Sequence, residues 1–96
     1  MKTTVINLQG EREYVSLPTP EYEHLGRGCK DWGSGVSLLA IWRGPRTGRT
    51  FIGTYSIWDN GHGMHAGYRV TEVDKQTYLR ACSVAGINPS IDPETV

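Results

Sequence analysis

Residues 36–43, VSLLAIWR, constrain the fold of this chain more than any other stretch. A half-exposed strand carries apolar side chains at every second position, but this run carries them on both parities. It predicts a central strand covered on both faces. GPRTGR follows with turn chemistry. TFIGTYSIW (Thr50–Trp58) then resumes strand character, with Phe51, Tyr55 and Ile57 sharing one face. The two runs are expected to pair as an antiparallel hairpin.

Upstream, TTVINL (Thr3–Leu8) alternates with Thr4, Ile6 and Leu8 on one face, and REYVSL (Arg12–Leu17) alternates through Val15 and Leu17. With QGE between them they read as a hairpin turning at Gly10. Thr19 before Pro20 resembles an N-cap with proline at the first helical position, so PEYEHL is expected to form one short helical turn. Gly26–Gly35, with four glycines and no periodicity, reads as a loop. Downstream, DNGHGMHAG reads as a connection and YRVTEV (Tyr68–Val73) as a strand. Asp74 is then placed to cap a helix over KQTYLRACSVA. Tyr78, Cys82 and Ala85 fall on one helical stripe with Leu79 beside them, and Gly86 sits where it would stop the helix. The tail, residues 88–96 with two prolines, is expected to be extended.

The resulting fold class is α+β. A mostly antiparallel sheet of about five strands carries one C-terminal α-helix packed on it, in a single domain spanning residues 1–96. Ten Lys and Arg balance ten Asp and Glu, so bulk charge does not point to nucleic acid or an anionic membrane. Local patches stay open. Two cysteines, Cys29 and Cys82, are too few for a secreted disulfide scaffold, and no signal pattern precedes them; a cytoplasmic location with reduced thiols is expected. The longest apolar run, Leu38–Trp42, is far too short to span a bilayer.

The chemistry-bearing stretches are few. In WDNGHGMHAGYR, His62 and His65 lie three apart with Asp59 three before His62. Zinc signatures place such pairs on a helix, which Gly61, Gly63 and Gly67 oppose, so no metal and no cofactor is expected. The reading preferred is a contact loop in which Trp58, His62, Met64, His65 and Tyr68 crowd one tip. WRGPRTGRT spaces Arg43, Arg46 and Arg49 evenly around a Gly-Pro turn. Guanidinium forks there, with the amides of Gly44 and Gly48, would suit an anionic ligand or nucleic acid; a solvated hairpin tip is the plainer account. Cys29 lies between Arg27 and Lys30, which would lower its thiol pKa, and Cys82 reads as a small core residue. Of the tryptophans, Trp42 is expected in the core, and Trp32 and Trp58 are harder to bury.

These features favour a small non-enzymatic binding protein acting on a protein or nucleoprotein complex, through arginines and loop aromatics enriched at interface centres. Single domains of this size are frequent among phage accessory proteins, including anti-CRISPR inhibitors of bacterial defence, and the inhibitor version rests on that frequency. An anionic small-molecule or nucleotide binder is the first alternative, and a metal- or cysteine-dependent enzyme the second. Thr3–Leu8, as an exposed edge, would allow homodimerisation by sheet extension.

Overall fold

The computed structural model describes residues 2–24, 30–33, 35–44, 47–59, 61 and 63–89, with backbone alone at 57–59 and 64–66. Among these, seven strands precede one helix: β1 (Lys2–Ile6), β2 (Arg12–Ser16), β3 (Tyr22–Glu23), β4 (Lys30–Gly33), β5 (Val36–Arg43), β6 (Thr50–Asp59), β7 (Met64–Val73) and α1 (Lys75–Ala85). The sheet order is β2-β1-β7-β6-β5-β3, with β4 also on β5. Every pairing is antiparallel except β1 with β7, which meet in parallel at Ile6↔Thr71. The α+β class holds, with two more strands than expected. No helix among the described residues is long and apolar enough to cross a membrane.

The additional strands exist because β5 is buried and cannot leave one side of its backbone unpaired. β4 takes the Val36–Leu38 half of that side and β3 the Ala40–Ile41 half. The expected helical turn is therefore extended. Glu21 N–H donates to Ile41 O at 2.7 Å and His24 N–H to Leu39 O at 2.8 Å, so the needs of β5 override the Thr-Pro helix signal. β1 is also an interior strand in the sheet order, flanked by β2 along its length and by β7 at Ile6↔Thr71, so it is not the open edge strand that the sequence suggested. The edges are β2 at one end and β3 with β4 at the other.

A β-bulge explains the two-parity pattern of β5. Leu38 pairs with Thr54 and Ala40 with Gly53, leaving Leu39 as the extra residue. The insertion reverses parity along the strand. Leu38 and Ile41 thus both join the helix-side core with Ile52, Tyr78, Ala81, Cys82 and Ala85. Ala40 and Trp42 join the second core with Val5, Leu17, Phe51 and Val70. On β1 the buried residue is Val5, not the Thr4–Ile6–Leu8 set, and Leu8 is 57% exposed. Asn7 ends this strand early, its side-chain oxygen accepting from the amides of Gln9 and Glu11.

The sheet must curl. β2 and β3 are five inter-strand spacings apart, about 24 Å if flat, and the six steps from Ser16 to Tyr22 reach only about 20–22 Å. Thr3 of β1 and Glu23 of β3 accordingly line one cleft, although β7, β6 and β5 separate them in strand order. The Leu17–Pro20 segment crosses that concave face.

α1 forms where its signals place it. Asp74 accepts from Thr77 N–H at 2.8 Å, and Gly86 takes a left-handed φ of 74° that only glycine adopts without strain. Ile87 N–H returns to Cys82 O at 3.0 Å, closing the helix end. Burial covers Tyr78, Ala81, Cys82 and Ala85, and the Tyr78 hydroxyl donates to Glu21 at 2.5 Å, tying the helix to the segment that leads into β3.

Candidate binding surfaces

The arginine turn closes on itself. Gly44 N–H donates to Arg49 O at 2.8 Å, Gly48 N–H to Gly44 O at 3.0 Å, and Arg49 N–H to the Thr47 hydroxyl at 3.2 Å. Both glycine amides proposed to hold an anion are thus spent inside the turn. A Cβ on Gly44 would lie 2.7 Å from the Thr47 hydroxyl, so a side chain there would displace the hydroxyl that accepts from Arg49 N–H.

Arg49 folds back onto the sheet. Its guanidinium donates to Glu13 of β2 at 2.8 and 3.0 Å and to Glu72 of β7 at 2.8 and 3.1 Å. It also lies 5.3 Å from the Phe51 ring centroid. Four of the five guanidinium N–H donors are occupied. Hydrogen bonds to Glu72 and then Glu13 hold Arg49 protonated well beyond the ordinary arginine range. In return, Arg49 and then Asn7 hold the Glu13 carboxyl below its usual value. Arg46 lies outside the described residues.

A cleft of about 490 Å³ opens beside this turn, between Leu8, Val73, Leu79 and Pro89. Its described lining carries Arg43, Arg49 and Lys75 against Glu72 and Asp74. With Arg49 neutralised twice over, the balance does not favour an anion.

The histidine loop is shorter than the sequence suggested. β6 runs to Asp59 and β7 begins at Met64, so Asp59, Met64 and His65 belong to strands rather than to the connection. Gly61 (φ 89°) and Gly63 (φ 130°) supply left-handed backbone for that reversal. Trp58 is the register partner of His65, and Asp59 of Met64. β5 accompanies β6 only as far as Val36↔Ser56. Beyond that point the rungs Ile57↔Ala66, Trp58↔His65 and Asp59↔Met64 form a two-stranded arm with no third strand among the described residues. His62 lies outside the described residues, as does Cys29. His24 sits beside Leu39, level with Thr54, so the backbone of Asp59 is about 17 Å further along the ladder. That separation is too great for His24 and Asp59 to share an ion.

Trp32 is half-buried against the helix-side core, and the Arg80 guanidinium lies 4.5 Å from its ring centroid. Trp42 is buried, as expected. Burial pushes the Cys82 thiol pKa up, and the side chain is fully enclosed.

Tyr68 enters a different setting from the one its sequence neighbours implied. It faces the concave side of the sheet, where a cleft of about 510 Å³ is lined by Leu17, Pro18, Pro20, Glu23, Trp42 and Val70 with it. Gly53 makes room there. A Cβ would stand 2.7 Å from the Tyr68 hydroxyl and 3.0 and 3.1 Å from the Trp42 ring. Burial, and then the Glu23 charge, raise the Tyr68 pKa above 10.0. Sequence reasoning missed Pro18, Pro20 and Glu23 as cleft residues. No local signal marks them, because they meet Trp42 and Tyr68 only through the curl. Compared with known protein families, curated proteins and solved structures, the chain matches none.

Proposed function

We propose that this chain is a non-enzymatic binding protein that docks on a protein or nucleoprotein partner through the outer arm of β6 and β7. The observation that carries the reading is the arm itself. Three ladder rungs continue past the end of β5, on a hairpin whose inner half is held in a buried sheet. A rigid base with a free outer ladder positions contact residues at low ordering cost. The residues there, Trp58, Met64 and His65, are of types suited to interface centres, tryptophan above all. The balanced charge of the chain fits recognition by shape and apolar contact better than electrostatic capture. A phage-encoded inhibitor of a bacterial defence system, of the anti-CRISPR type, is the specific version of this reading.

The test is a chain in which Asn-Gly replaces residues 58–65, a two-residue turn that preserves the inner ladder. Both chains are immobilised and exposed to lysate of the native host. Capture of a defined partner by the full chain and its loss in the shortened one, with unchanged thermal unfolding, is the expected result. Equal capture by both removes the arm from the interface. The inhibitor version also requires that the full chain restore plating of a phage targeted by an active CRISPR system. Partner capture without restored plating defines a binding protein of another kind.

A further inference from the structure

The concave cleft has a charge character of its own. Leu17, Pro18, Pro20 and Val70 give it aliphatic walls, and Trp42 and Tyr68 give it aromatic ones. Glu23 is the single charged side chain among its described lining residues. Among the described residues, Glu13 and Glu72 share Arg49, Glu21 accepts from Tyr78, Asp74 caps α1, and Asp31 accepts from Gly33 N–H; Glu11 and Glu23 stand apart from these, and of the two only Glu23 lines the cleft. The Glu23 carboxylate enters no such hydrogen bond or ion pair among the described residues. It stands at an apolar and aromatic cavity, with its backbone fixed by pairing to Ala40.

We propose that this cleft receives a basic side chain, arginine or lysine, presented by a protein partner. The charge supplies one half of the argument. Glu23 is exposed beside the cleft, so its charge acts on a cation that meets it at close range rather than from a distance. Aromatic rings supply the other half, since a cation is attracted to a ring face within about 6 Å. The Tyr68 phenol is neutral at physiological pH, as an ordinary tyrosine is, so Glu23 supplies the negative charge among the described lining residues. Pro18 and Pro20 have φ fixed by their rings, which holds the wall in shape before anything binds. A volume of about 510 Å³ lies within the roughly 300–1,000 Å³ of ordinary ligand pockets. The proposal rests on the binding-protein reading, but it does not require the arm.

The probes are four blocked tripeptides, acetyl-Gly-Xaa-Gly-amide, with arginine, lysine, citrulline or norleucine at the centre. Each is titrated into the full-length protein to about 10 mM, and the Val70 methyl and Tyr68 ring resonances are followed by NMR. The arginine and lysine peptides should bind about tenfold more tightly than the neutral pair. Glu23→Gln should remove that preference while leaving a dispersed, native spectrum. Equal binding of the neutral peptides, no binding of any peptide, or a preference that survives Glu23→Gln would each overturn the proposal. Tetramethylammonium binding more tightly than both basic peptides would also overturn it, in favour of a free organic cation. The arm-shortened chain separates the two readings. If it keeps the cleft preference and still captures the partner, the arm reading fails alone; if it loses capture but keeps the preference, both stand.

Discussion

The arginine turn and the histidine hairpin are both glycine-punctuated reversals carrying residues of interface type, yet they relate to the scaffold in opposite ways. The first folds inward. Arg49 spends its guanidinium on Glu13 and Glu72 and so fastens β2 and β7 together. The second runs outward, leaving every other strand behind after Ser56. The difference follows from what stands opposite each reversal. Two carboxylates face the arginine turn, 36 and 23 residues away in sequence, whereas no described strand flanks the outer hairpin. Residue type announces a capacity to bind, and the fold decides whether that capacity is used internally.

The contrast can be broken experimentally. Arg49→Met should have the largest effect, because it strands Glu72, whose side chain is only 9% exposed. Allowing for the partial exposure of Arg49 and Glu13, a loss of about 2–3 kcal/mol is expected. That is a fall of roughly 10–20 °C in unfolding temperature by calorimetry, at about 4–8 °C per kcal/mol. A melting temperature within two degrees of the parent, about 0.5 kcal/mol or less, would make Arg49 a surface residue after all. Gly53→Ala should come next, at about 1–2 kcal/mol, because the new methyl drives into Tyr68 and Trp42. Its denaturation midpoint should fall, and the Tyr68 ring resonances should shift.

The pH dependence of the inward tip is smaller. The folded pKa of Glu13 is depressed, so its contribution is complete above its ordinary value of 4.5 and is lost as pH falls through the lower folded value. Unfolding temperatures of the parent and Glu13→Gln should therefore converge on acidification below 4.5 and differ most above it. A constant difference at all pH values would mean that the carboxylate charge is not what Arg49 holds. The smallest stability effect belongs to the outward tip. Replacing residues 58–65 by Asn-Gly should change stability by less than about 0.5 kcal/mol, as expected away from buried contacts. A larger loss would show that the arm is part of the scaffold.

Much of the framework was legible because its signals are local. Asp74, the Tyr78–Cys82–Ala85 stripe and Gly86 define α1 within a dozen residues, and the two-parity run at 36–43 announced a strand covered on both faces. The bulge at Leu39 was not legible, since it is visible only as a shift of β5 against β6. β3 was misread because Pro20 gives a helix-start signal, which two hydrogen bonds to β5 outweigh. Met64 and His65 were taken for loop because the glycines around them hide a ladder that depends on the register set by Thr50↔Val73 at its base. Of the candidate site residues, Arg49 and Tyr68 show the limit most clearly. Their partners, Glu13 and Glu72 for one and Gly53, Trp42 and Glu23 for the other, are remote in sequence.

The parallel contact Ile6↔Thr71 has a consequence for how the chain assembles. The β1–β2 hairpin is local and can zip up as soon as its own residues are available. Its berth is β7, more than sixty positions later, and closing so long a loop carries an entropic cost that local pairs do not. Docking of this hairpin therefore carries a loop-closure cost that forming the hairpin does not, and Arg49, bonded to Glu13 on one side and Glu72 on the other, fastens the junction once it is made.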